Sequence, residues 1–233
     1  MPQLQRGGGE SGLRLSVAVL LAANEMAAAK QLLEGMPDSG SAKVLSAWLA
    51  HRDGRTEEAV KVLRKHLFDQ GRDLFAYLTL ARIHQEEGKA RLARLVCKEG
   101  LKQAPKNADL HYMLGGIEQG RGRAVAAARA FDSALKVEPG HLGALIDRAR
   151  MHLEGLDYVA ALALTARAFR LAPKDPQVAL THALAMRANG NCDGAPGGAP
   201  AAAPFSCKTT ASPSVAPSAP QTWTAAAFSQ WCG

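Results

Sequence analysis

The chain has 233 residues, 47% of them hydrophobic and only 5% aromatic, so it can bury a substantial core but must build it from small and aliphatic side chains. With 28 Lys and Arg against 21 Asp and Glu, the net charge is +7, which favours acidic partners or surfaces without identifying any. Four cysteines, Cys97, Cys192, Cys207 and Cys232, form no CxxC pair, and the composition calls for neither a zinc site nor a disulfide framework.

From the N-terminus, Leu15 to Ala23 (LSVAVLLAA) is an apolar run preceded by Arg6 and Arg14. It is far too short to span a bilayer. Two readings are open: a cleaved secretory signal, or the start of Ala-rich helical sequence that continues through it. The second places the protein in the cytoplasm and is preferred. Residues 1–39 are expected to form a degenerate repeat unit or a capping helix.

From residue 40 onward a fixed period governs the chain, and such a period changes the meaning of every residue that falls on it. Pro105, Pro139 and Pro173 are 34 residues apart, and equal steps backwards reach Gly71 and Pro37. Ala47, Ala81, Gly115, Ala149 and Ala183 form one column of small residues, and Ala59, Ala93, Ala127 and Ala161 form a second. A third holds Gly54, Gly88, Gly122 and Gly190, with Leu156 as the exception and Gly155 beside it; a fourth, apolar, holds Leu67, Leu101, Leu135 and Phe169. Each unit reads as helix, tight glycine turn, helix. Small side chains let the paired axes approach, and proline ends the second helix because it cannot continue the hydrogen-bond ladder.

These columns resemble the tetratricopeptide repeat, a 34-residue helix-turn-helix unit. Leu114 and Gly115 match the family's Leu-Gly pair, and Ala127, Phe131, Ala134 and Pro139 match its second helix; Tyr77, Leu80 and Ala81 do likewise one unit earlier. The resemblance covers residues 40–189, four full units and the first helix of a fifth, and implies an all-α, right-handed α-solenoid. The chain departs from the family where Lys43, His111, Leu145 and Ala179 replace its large aromatic, and where His84 and His152 stand in place of tyrosine.

The period decides the stretch Leu114 to Arg123 (LGGIEQGRGR), whose four glycines and two arginines suggest a phosphate loop. Gly115 lies in the small column and Gly122 in the turn column; no GK[ST] follows and no strand precedes, so packing is the reading adopted. Other chemistry is thin. No GxSxG, HExxH or dinucleotide fingerprint occurs. His84 and His152 share a core-facing column and read as satisfied or partly buried histidines, with no second ligand at helical spacing. Glu57 and Glu58 open a second helix where acidic residues suit its dipole, Glu86 and Glu87 close a first helix and read as solvated, and Cys97 reads as a small core residue. No catalytic residue, metal or cofactor is called for.

What remains is surface. The resemblance implies that first helices line a concave groove, whose candidate residues are Val44, Trp48, Phe75, Leu78, Arg82, Tyr112, Gly116, Gln119, Ile146 and Arg150. Apolar and aromatic side chains flanked by arginine suit a peptide or an amphipathic helix; the competing reading has Trp48 and Phe75 merely covering the N-terminal helix. Some members of the family clamp acidic C-termini of heat-shock chaperones with lysine, asparagine and arginine, but Val44, Trp48, Asp109 and Met113 occupy those positions here, so that clamp is missing. Basic residues crowd the second helices, among them Lys61, Arg64, Lys65, Arg91, Arg94 and Lys98, and raise nucleic-acid binding as a rival; with few aromatics beside them a solvated face is preferred.

After Gly190 the next helix should begin, but Pro196, Gly197, Gly198, Pro200 and Pro204 forbid it. Residues 190–233, rich in Ala, Pro, Ser and Gly, are expected to be disordered, either as a native tail or as the product of an altered frame or splice choice. The helix over 176–188 then lacks a following partner, and is expected to fray or to be covered by a second molecule, a route to self-association. The expectation is a non-catalytic scaffold, adaptor or chaperone that binds a protein partner in its groove; the alternatives are a nucleic-acid-binding array or the recognition arm of a longer enzyme.

Overall fold

A computed structural model of the chain describes Ser16, Val17, Leu20, residues 25–35 and residues 39–190; the tail after Gly190, with its expected disorder, lies outside the described residues, as does most of the segment before residue 25. Ten α-helices have both ends among the described residues: α1 (Met26–Glu34), α2 (Gly40–Arg52), α3 (Thr56–Asp69), α4 (Leu74–Glu86), α5 (Ala90–Gln103), α6 (Ala108–Gly120), α7 (Ala124–Val137), α8 (Leu142–Glu154), α9 (Tyr158–Leu171) and α10 (Pro176–Ala188). No strand occurs among the described residues. The architecture is the all-α, right-handed solenoid of 34-residue hairpins that the resemblance implied. Hairpins α2–α3, α4–α5, α6–α7 and α8–α9 follow one another, with α1 before them and α10 after.

Each column has a visible mechanical cause. Gly54, Gly88, Gly122 and Gly190 adopt φ of 84°, 71°, 70° and 81°, the left-handed conformation that glycine enters without a Cβ clash. Leu156 takes the same conformation at φ 60°, so the hairpin geometry persists where the preferred residue is missing. Ala59, Ala93, Ala127 and Ala161 are fully buried, as are Ala81 and Ala149 in the first column. Ala183 of α10 is only half-buried.

At the ends of second helices, Ala104, Glu138 and Ala172 have φ of −136°, −127° and −140° with ψ of 80°, 94° and 69°, an extended turning residue of the kind proline imposes on its predecessor. Gln70 takes the same form at φ −132° and ψ 68° although Gly71 follows it. Docking of the next hairpin therefore sets this bend, and proline reinforces it.

A further column lies at the N-termini of the first helices. The side chains of Ser39, Asp73, Asn107, His141 and Asp175, each 34 residues apart, accept from the backbone N–H of Ala42, Ala76, Leu110, Ala144 and Val178 at 3.3, 3.2, 2.8, 3.1 and 3.1 Å. They satisfy donors that a helix start leaves open. Asp73 also joins His66 Nε2 at 2.8 Å, fastening α3 to the unit that follows.

First and second helices differ in burial. In α4, Ala76, Tyr77, Thr79, Leu80, Ala81, Ile83 and His84 are buried, whereas in α5 only Ala93, Cys97 and Gly100 are. First helices pack on their own partner and on first helices of neighbouring units (α2 on α4, α4 on α6, α8 on α10), so two of their faces leave water. At the N-terminal end, Val17 and Ala29 are buried with Leu45 and Leu49 of α2, so α1 covers the first hairpin. At the other end α10, for which fraying or a covering partner was expected, is regular through Ala188 and packs on α8 and α9 through Val178, Thr181, His182 and Ala185, while Leu180 and Leu184 stay exposed.

Candidate functional site

The 34-residue step turns the first helices into a ladder. Trp48, Arg82, Gly116, Arg150 and Leu184 occupy one register, and Val44, Leu78, Tyr112, Ile146 and Leu180 occupy the register four residues earlier on the same helix face. The first register presents two anchored cations. The guanidinium carbon of Arg82 lies 5.2 Å from the ring centroid of Trp48, a cation–π contact. Arg150 Nη1 is 3.1 Å from Asp147 Oδ1. Between them a Cβ placed on Gly116 would meet nothing within 4 Å, so the backbone there is open to close approach.

Tyr112 holds the second register in place. Its hydroxyl donates to Asp147 Oδ2 at 3.0 Å, and its ring lies 4.8 Å from that of His141 and 5.8 Å from that of Phe131. A Cβ on Gly143 would come within 2.7 Å of Tyr112 Cζ, so the ring is a wedge between α6 and α8 that needs glycine opposite it. Burial first, and then the charge and hydrogen bond of Asp147, push the phenol up to about 12, which keeps it a neutral donor.

Not every candidate offers surface. Val44 is fully buried and Ile146 is 8% exposed, so neither side chain is free for a ligand. Trp48 and Phe75 are half-buried and pack against the cluster of Val17, Ala29, Leu45 and Leu49, so both help to cover the N-terminal helix. Leu78 and Gln119 are half-buried, and Arg82 and Arg150 are exposed. Asp147 is the member of this network that sequence reasoning overlooked. Its position 35 residues after Tyr112 and three before Arg150 was the available signal.

Residues outside the ladder bring one correction. His84 is buried, yet neither ring nitrogen has a hydrogen-bond partner, so it is not the satisfied histidine expected; no polar group of a neighbouring helix reaches it. His152, in the same column, is half-buried and pairs through Nδ1 with Asp157 Oδ2 at 3.0 Å. Glu86 and Glu87 are exposed, as expected, and each also has a partner. Glu86 Oε2 is 3.0 Å from His51 Nε2, and Glu87 Oε1 accepts from Thr56 Oγ1 at 3.3 Å. The end of α4 lies over the preceding turn, so both carboxylates tie the second hairpin to the first.

Glu57 and Glu58 occupy the first turn of α3 as expected. Cys97 is fully buried, and burial pushes its thiol up to about 12, leaving it without thiolate character. Among the described residues no three His, Cys, Asp or Glu side chains gather as a metal set, and no helix is long and apolar enough to cross a membrane.

A stack of hairpins on a 34-residue period, with one side chain per unit offered along the first helices, defines an α-solenoid repeat protein. Comparison with known proteins agrees: a family model described as tetratricopeptide repeat matches residues 118–176. Residues 118–176 thus carry tetratricopeptide repeat sequence, and the hairpins before them keep the same 34-residue plan. Among solved structures it resembles TTC0263, a thermophilic tetratricopeptide repeat protein of Thermus thermophilus, with TM-score 0.62 and 22% identity over 77% of this chain and 100% of that one. It also resembles pilF of Pseudomonas aeruginosa, with TM-score 0.62 and 16% identity over 78% and 84% of the two chains. A chain of the Naa15/Naa10 assembly bound to HypK-THB matches with TM-score 0.52 and 20% identity, over 65% of this chain and 23% of that one. No protein of curated function matches the sequence.

Proposed function

We propose that the array is a non-catalytic scaffold or adaptor, acting in the cytoplasm, that binds a peptide or amphipathic helix of another protein along its first-helix ladder. The observation that carries this reading is the pairing of exposed Arg82 and Arg150, each held by a neighbouring side chain, on either side of the open Gly116 backbone. Anchored cations lose little freedom when a ligand arrives, and an unobstructed backbone lets an extended segment approach closely. Acidic or aromatic side chains of the partner suit the two arginines. The Naa15/Naa10 assembly, whose matching chain belongs to a complex with HypK-THB, supports a role in protein association for this architecture.

Nucleic-acid binding has less support, because Arg94, one of the basic residues of the second helices, is committed to Glu118. Self-association through α10 is a second use of the same architecture, favoured by exposed Leu180 and Leu184 on a helix with one open face.

Affinity capture with the full chain tests the ladder when run beside Arg82→Glu and Arg150→Glu. Both replaced side chains are exposed, so the fold should persist, and captured partners should fall at least about tenfold, as expected when like charge replaces a charge-assisted contact. Tyr112→Ala is a poor probe, since it also removes the wedge on Gly143. An unchanged partner set in both variants would eliminate the ladder as the binding face.

A further inference from the structure

A cleft of about 380 Å³ opens between α3 and the turn joining α4 to α5, away from the first-helix ladder. Lys61, Arg64 and Glu57 line it from α3, Lys89 from the turn and Leu92 from α5, and His84 forms part of its wall. His84 is 3% exposed, and both ring nitrogens lack a partner. Buried polar atoms of folded proteins are nearly always bonded, so an orphaned imidazole facing a cleft calls for a ligand or another cause. The repeat supplies a control. In the same column of the next two units, Glu118 is held by Arg94 and Arg121, and His152 by Asp157, so the hairpin geometry does not force a polar residue to stay unbonded.

The surrounding charge indicates what is bound. Lys61 and Arg64, one helical turn apart, make no ion pair among the described residues, and Lys89 lies 3.6 Å from Glu87. Three cations, Lys61, Arg64 and Lys89, thus face two carboxylates, Glu57 and Glu87, an excess of one positive charge. Protonation of His84 raises the excess to two, which matches a doubly charged oxyanion better than a single carboxylate.

We propose that this cleft binds a phosphate monoester dianion or free phosphate, with Lys61 and Arg64 neutralising its oxygens and His84 donating an N–H from the wall. Binding draws one proton from solvent onto the imidazole, converting a neutral buried histidine into a charged donor. The shared chemistry is the tetrahedral dianion. Its source is either a phosphorylated side chain of a partner protein or a small phosphate in solution.

The test follows the imidazole signals of His84 by nitrogen-15 NMR in the full chain, titrated near neutral pH with inorganic phosphate, with a phosphoserine peptide, and with chloride at matched ionic strength. Phosphate should shift His84 saturably towards the protonated pattern while His152, paired with Asp157, serves as internal reference. The Lys61→Gln/Arg64→Gln variant, which alters only exposed side chains, should weaken the effect at least about tenfold. Tighter binding of the peptide than of phosphate assigns a protein source, and equal or weaker binding assigns a free phosphate. A response no larger than that to chloride, or one that persists undiminished in the double variant, overturns the proposal. Neither result bears on the ladder, whose probes Arg82 and Arg150 do not line this cleft.

Discussion

The second and third hairpins share one backbone plan and solve its core in opposite ways. In α4–α5 the small column holds Ala81 and the facing position of the second helix holds Cys97; in α6–α7 the same two positions hold Gly115 and Phe131. A Cβ on Gly115 would overlap Cε1 and Cδ1 of the fully buried Phe131 ring, so the larger residue on one helix is accommodated only by the smallest on the other. The polar column differs as well: Glu118 is closed in by arginines, and His84 is left open. The repeat therefore specifies which positions fill the volume between paired helices and the direction of each side chain. How that volume is divided, and who answers a buried polar group, is settled unit by unit.

The strongest way to break the contrast is to force one hairpin's solution on the other. Gly115→Ala overpacks the third hairpin and should cost about 2–3 kcal/mol in urea unfolding. Adding Phe131→Leu recreates the Ala47 and Leu63 pair of the first hairpin and should recover most of that loss, giving a clearly non-additive cycle. Additive losses would mean that the two side chains do not compete for one space.

Glu118 offers a smaller effect. Glu118→Gln removes the charge that faces Arg94, Arg121 and Arg123 but keeps the shape of the side chain. A loss of about 1–2 kcal/mol is expected from chemical denaturation, below the penalty of a wholly buried pair because the arginines remain partly solvated. No loss would show that the arginines are as well served by water.

The smallest effect concerns His84. Its pKa is lowered from 6.5, first by burial and then by positive Arg64 and Lys89, with Glu87 acting in the opposite sense; burial lowers that of His182 as well. A base whose folded pKa is depressed binds its proton more readily in the unfolded chain, so stability is full above 6.5 and declines as pH falls towards the folded value. His84→Leu removes two unbonded polar atoms, should stabilise the fold by up to about 1 kcal/mol, and should flatten thermal stability against pH below neutrality. His182, bonded to Thr165 Oγ1 at 3.0 Å, should retain the remaining dependence. A variant whose pH profile matches that of the parent would assign the acid sensitivity elsewhere.

Much of the fold was legible because repetition amplifies weak local signals. One glycine is ambiguous, whereas Gly54, Gly88, Gly122 and Gly190, all in phase with one 34-residue period, mark a turn that each of them then adopts. The N-cap column was equally regular but went unread, since Ser39, Asp73, Asn107, His141 and Asp175 share no side-chain class, only a lone pair placed to accept from the third residue onward. The ladder was legible as a set of positions. Its accessibility was not: Val44 and Trp48 are equally plausible groove residues by register, yet only Val44 disappears completely from solvent.

The sequence by itself determined the helix boundaries, the turns and the face each residue occupies, because these depend on backbone conformation and on neighbours within one unit. Only the tertiary structure decided that Tyr112 wedges against Gly143 and bonds Asp147, that Glu86 and Glu87 reach back to the preceding hairpin, and that His84 is left unbonded beside a cationic cleft. Those outcomes turn on distances of a few ångströms between side chains of different helices, and periodicity fixes register along a chain without fixing what stands across from it.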